Sequence, residues 1–162
     1  MPVTEIVTDT DLLTLTFHAE FAAPRDRVWA VYEDPRRLER VWGPPECPAT
    51  FVDHDFAVGG RSTYFMTDPD GQKYYGWWLI TAIDAPHSFA FDDGFADENF
   101  DNLPDLPVSS QVYTFTDVGN GTTRAVFTST FASREAIQQV LDMGVVDGTR
   151  SAINQLDAVL AG

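Results

Sequence analysis

Hydrophobic positions alternate along most of the chain and change to a helical spacing at its two flanks. In LLTLTFHAEF, residues 12–21, Leu13, Leu15, Phe17, Ala19 and Phe21 fall on one side of an extended chain, the period of a strand with one buried face. Pro24 then suits the first turn of a short helix, where its missing N–H costs little. Val28, Val31 and Tyr32 form a single stripe at spacings of three and four residues, and Pro35 stops that helix. PRRLERVW supplies a second short helix carrying Leu38, Val41 and Trp42 before GPPECP breaks regular structure. Alternation returns in ATFVDHDF, RSTYFM, YYGWWLITAI, SFAF, SSQVYTFTDV and TTRAVFTSTF, punctuated by the turn signals AVGG, DPDG and GNG. Gly76, between two aromatic pairs, predicts a bulge, a strong bend or close packing against a neighbour. Ser133 is placed to cap REAIQQVLDM. From Val145 the apolar positions Val145, Thr149, Ala152, Ile153, Leu156 and Leu160 recur as on a helix buried along one side, with Ala161 and Gly162 as its end.

This order predicts an α+β domain spanning residues 1–162. The expected architecture is a curved antiparallel sheet of about six or seven strands around a long C-terminal helix, with two short helices after the first strand. If the sheet bends around the helix, a gap opens between them near one end, bounded by loops.

Charge narrows the partners. The chain has 25 acidic against 10 basic residues, a formal charge of -15, and no basic run suited to a phosphate backbone or an anionic membrane. No stretch approaches the length of an apolar span, and the amino terminus lacks the pattern of a secretory leader, so a cytoplasmic protein is expected. DDGFADENFDNLPDLP, residues 92–107, concentrates acidic side chains among Phe95, Phe100, Leu103 and Leu106. Counted from Asp97, an EF-hand loop would need glycine and glutamate where Asn102 and Val108 stand, so the segment reads as a hydrated rim between strands, with a gate or docking edge as the alternative. His18, His54 and His87 are dispersed and Cys47 is alone, so no metal or other cofactor is expected.

APRDRVWAVYEDPRRLERVWGPP, DFAVGGRSTYFMTDPDGQKYYGWWLITAIDAPHSFAF, GNGTTRAVFTSTF and MGVVDGTRSAINQLDAVL carry a further signal. Together they resemble the SRPBCC or START-like superfamily, in the branch related to the carboxy-terminal domain of the activator of heat-shock protein 90 ATPase. The resemblance implies a helix-grip fold and, within it, three kinds of role. The leading one is non-enzymatic binding of a small hydrophobic or aromatic ligand in a cavity. The others are a chaperone-associated role, or a cyclase-like or hydrolytic enzyme using the same cavity. Self-association is a further possible use of the acidic aromatic edge. No catalytic set stands out. The candidate ligand-binding residues are Trp42, Arg61, Tyr64, Tyr75, Trp77, Phe95, Thr149 and Ile153: aromatic walls, a polar anchor at Arg61 or Tyr64, and the inner side of the last helix. Strand alternation puts Tyr75 and Trp77 on one face and Tyr74 and Trp78 on the other, and only one pair can look inward.

Overall fold

A computed structural model describes residues 2–161. The strands are β1 (Val3–Asp9), β2 (Thr14–Phe21), β3 (Ala49–His54), β4 (Arg61–Thr67), β5 (Lys73–Asp84), β6 (Ser88–Ala96), β7 (Ser109–Gly119) and β8 (Thr122–Thr130). Helices α1 (Arg25–Glu33) and α2 (Pro35–Trp42) follow β2, and α3 (Arg134–Asp142), α4 (Val145–Asn154) and α5 (Leu156–Ala161) follow β8. All neighbouring strands pair antiparallel, in the order β1-β2-β8-β7-β6-β5-β4-β3.

The expected curved sheet of six or seven strands around one long helix is corrected in three respects. There are eight strands, because Val3–Asp9 adds an edge strand whose burial never rises above partial and whose sequence therefore lacks a strong apolar alternation. The sheet is open instead of curled on itself: β1 and β3 lie at opposite ends of the order, and no pairing joins them among the described residues. The terminal helix is interrupted. Gly144, at φ +81, takes a left-handed conformation that separates α3 from α4, and the chain turns again at Gln155 before α5. Gly162 lies outside the described residues.

Helices and sheet share one aromatic core. Phe17, Phe21, Phe51, Trp78, Phe89, Phe91 and Phe115 are almost fully buried on the inner sheet face, with Val28 and Leu38 from the first two helices and Ile137 and Leu156 from the last three. The Ser133 hydroxyl accepts from the Ala136 N–H at 3.1 Å, the expected cap of α3. Asp34 caps α2 through the Arg36 N–H. Cross-element bonds fix the helices: Arg27 donates to the Leu160 carbonyl, and Gln155 donates to the Gly43 carbonyl at 2.7 Å. His54 joins α1 to the sheet. Its Nε2–H donates to the Tyr32 carbonyl at 2.8 Å, leaving Nδ1 to accept from the Ser62 hydroxyl at 2.7 Å. Burial pushes the His54 pKa down, against the pull of that carbonyl and of Asp34 and Asp55.

Candidate functional site

Between the inner sheet face and the helices, the side chains leave a cavity of about 330 Å³. Leu15, Phe17 and Phe127 form part of its floor, Val41 and Trp42 close it from α2, and Val145, Gly148, Thr149, Ala152 and Ile153 cover it from α4. Its solvent side is marked by exposed Met143 and Gly144, with half-buried Pro44 and Pro107 from two loops.

The sheet register places a polar strip across this apolar enclosure. Asp93 on β6 stands opposite Trp78 on one side and Ser109 on the other, and Gln111 on β7 pairs with Ser129 on β8. Gln111 bridges its two neighbours: its amide donates to the Ser109 hydroxyl at 2.7 Å, and its carbonyl accepts from the Ser129 hydroxyl at 2.7 Å. Tyr64 donates its hydroxyl to Asp93 Oδ1 at 2.9 Å. That bond depends on Gly76. A Cβ there would lie 2.4 Å from Tyr64 Cζ, so the missing side chain lets the phenol ring lie across β5 and reach β6. Of the three readings of Gly76, close packing is the one that applies; register is continuous through it on both sides.

Enclosure sets the protonation states. Burial lifts the Asp93 carboxyl from its ordinary value to about 7, with the Tyr64 hydrogen bond opposing the rise. Burial also raises Tyr64, Tyr113 and Tyr32; for Tyr64, Asp93 adds to the rise. All three phenols therefore stay protonated near neutrality, and Asp93 changes charge there. Asp93 is only half-buried as a residue because part of it borders the cavity.

Five of the eight candidate residues, Trp42, Tyr64, Phe95, Thr149 and Ile153, border this cavity. Arg61, Tyr75 and Trp77 do not border it. Strand alternation turns them to the opposite face, and it is Trp78 that looks inward. Arg61 donates to the Phe100 carbonyl at 2.6 Å and to Asn102 at 3.0 Å, with its guanidinium over the Trp77 ring. Tyr75 meets Phe65 and Phe100. Trp77 lies over Gly94, where a Cβ would come within 2.5 Å of the indole, and donates to the Phe95 carbonyl. These three residues hold the acidic segment to the outer face.

The sequence reading missed Asp93. It was grouped with a hydrated loop, yet β6 continues through Ala96, and the alternation Phe89, Phe91, Asp93, Phe95 was the available sign that this carboxylate points inward. Tyr32 enters the sequence reading only through the apolar stripe of α1, and Tyr113 is not singled out there. No group of three or more His, Cys, Asp or Glu suited to a metal gathers among the described residues.

Residues 22–161 match the family model described as Activator of Hsp90 ATPase homolog 1-like protein. The chain belongs to this family. Protein Ms6760 from Mycobacterium smegmatis, known from a crystal structure, shares 64% identity over 98% of this chain and 97% of its own, with a TM-score of 0.91. A protein from Arthrobacter aurescens, solved in solution by NMR, shares 46% identity over 98% of this chain and 92% of its own, at a TM-score of 0.94. At 22% identity, the AHSA1 protein of Silicibacter pomeroyi shares the fold, with a TM-score of 0.72 over 91% of this chain and 97% of its own. A comparison with curated proteins gives no match. Activator of Hsp90 ATPase homolog 1-like proteins lie within the superfamily indicated by the sequence motifs. No helix among the described residues is long and apolar enough to cross a membrane.

Proposed function

We propose that this protein binds a small, largely apolar or aromatic molecule in the cavity between the sheet and α4, without chemical conversion of it. The observation that carries this reading is the cavity itself, about 330 Å³ of unfilled space inside an otherwise close-packed aromatic core. Native interiors ordinarily leave few voids larger than a water molecule, and pockets of this size fall within the range of small-ligand sites. Its walls match an aromatic guest: Trp42, Tyr64, Phe95 and Phe127 offer ring faces and edges, while Thr149 and Ile153 supply the helical side. A chaperone-associated role rests on the family's description, and fold likeness alone does not transfer a partner. A cyclase-like or hydrolytic role would need a reactive centre positioned against Asp93.

Native mass spectrometry of freshly purified protein tests the proposal. A bound small molecule in one-to-one ratio, released on denaturation and lost in Thr149→Phe, is the expected result. Failure to retain any compound, combined with no binding of added naphthalene or indole compounds by equilibrium dialysis, would overturn it.

A further inference from the structure

We propose that the cavity selects ligands that present a hydrogen-bond donor, an amine above all, to Asp93, and rejects ligands that carry a carboxylate or another anion. This rests on the binding role proposed above and specifies the ligand's chemistry. Its basis is the composition of the cavity wall. Among the described residues, Asp93 is the one acidic residue bordering the space, and no lysine, arginine or histidine borders it. An anionic guest would lose its hydration and find no cation in return, beside a carboxylate that repels it.

The remaining polar groups are neutral donors and acceptors and bring no positive charge to the space. Gln111 uses one N–H on Ser109 and one carbonyl lone pair on Ser129; its second N–H is neutral and offers an anion no countercharge. The titratable groups that share the cavity with Asp93 are Tyr64 from β4, Tyr113 from β7 and Tyr32 from α1. Burial keeps these phenols protonated, so they add no negative charge near neutrality. The α4 wall adds Gly148, Thr149 and Ile153, none of which titrates. Tyr64 fills one acceptor position at Oδ1. A carboxylate has about four lone-pair sites, so acceptor capacity remains for a guest.

An ammonium group satisfies that capacity and neutralises the charge together. An amide or hydroxyl satisfies only the first. A protonated amine therefore favours ionised Asp93, and its binding strengthens as pH rises through the carboxyl's value of about 7. Above that, affinity holds until the amine itself loses its proton.

Equilibrium dialysis with three probes of one shape separates the possibilities: 2-naphthylmethylamine, 2-naphthoate and 2-methylnaphthalene, each at pH 6 and pH 8. At pH 8 the amine should bind about tenfold or more tighter than the naphthoate, the advantage of a charge-assisted hydrogen bond. Its affinity should rise by roughly five- to tenfold from pH 6 to pH 8, following the ionised fraction of Asp93. Asp93→Asn keeps an acceptor for Tyr64 and removes the charge, and should bring the amine to within about twofold of 2-methylnaphthalene at both pH values. Equal binding of amine and naphthoate, or a preference for the amine unchanged in Asp93→Asn, would overturn the inference. If 2-methylnaphthalene binds and the amine has no advantage, donor selection fails and the binding role stands. If the wild-type protein binds none of the three, both fail.

Discussion

Asp93 and its immediate neighbour Asp92 show how little local composition says about an individual carboxylate. Asp92 faces outward and accepts from Ser110, while Asp93, one residue along the same strand, faces an apolar cavity and Tyr64. Its pKa of about 7, against an ordinary 3.8, means that between these values the folded protein holds a proton that the unfolded chain has released. Stability contributed by this group must therefore fall as pH rises through that window, and stay low above pH 7. At about 1.4 kcal/mol per pH unit, the full effect is on the order of 4 kcal/mol, less where cavity water solvates the charge. His54 acts in the opposite sense. Its lowered pKa makes the unfolded chain the better proton binder below about pH 6.5, so its contribution is lost as pH falls. Comparing wild type with Asp93→Asn isolates the carboxylate from this background. In urea unfolding the variant should be the more stable protein at pH 8, by about 1–3 kcal/mol, with the difference shrinking towards pH 5. An equal difference at both pH values would show that Asp93 does not titrate in the folded state near neutrality. Retaining a group with this cost at the wall of a cavity is what a binding role for its charge accounts for.

Elements were legible where one face is fully buried. Val28, Val31 and Tyr32 identified α1, and Ser133 identified the start of α3, because each signal acts within one or two turns. Strand β1 was not legible, since a half-exposed edge needs no apolar alternation. The end of β6 was hidden for another reason: its acidic residues compete with the Phe89–Phe91–Phe95 pattern, and composition outweighed period. Which of Trp77 and Trp78 faces the helices was equally unreadable from β5 alone, because both are aromatic and both are buried, one by helices and one by Arg61 and the acidic segment. Gly76 links these elements, since β4, β5 and β6 make the Tyr64–Asp93 bond only while β5 has no side chain there. Gly76→Ala should displace Tyr64, destabilise the fold by about 1–3 kcal/mol, and raise the Asp93 pKa further by removing the bond that favours its ionised form. Urea unfolding and carboxyl titration by NMR measure the two effects separately. A carboxyl titration identical to wild type would show that Tyr64 has not moved away from Asp93.

At the scale of the molecule, the open sheet and the interrupted terminal helix leave a space that the core could have filled. Gly148 marks it most clearly. It lies within α4 and borders the cavity, and a Cβ built on it meets nothing within 4 Å. A glycine inside a helix forgoes about 1 kcal/mol relative to alanine, and here no close backbone contact requires it. Gly148→Leu should therefore gain helix propensity and bury new apolar surface against Val41, Phe127 and neighbouring walls, raising stability by roughly 1–2 kcal/mol. The same side chain would occupy the volume offered to a guest. Thermal unfolding and dialysis of 2-naphthylmethylamine on the one variant are then expected to move in opposite directions, with higher Tm and affinity reduced about tenfold or more. A variant that is more stable and binds the amine undiminished would place the guest elsewhere on the protein. A variant that is less stable would show that the space is already occupied by side chains in their solution arrangement. The opposed outcome is what separates a cavity maintained for a ligand from an incidental defect of packing, because filling a mere defect improves the fold and costs nothing else.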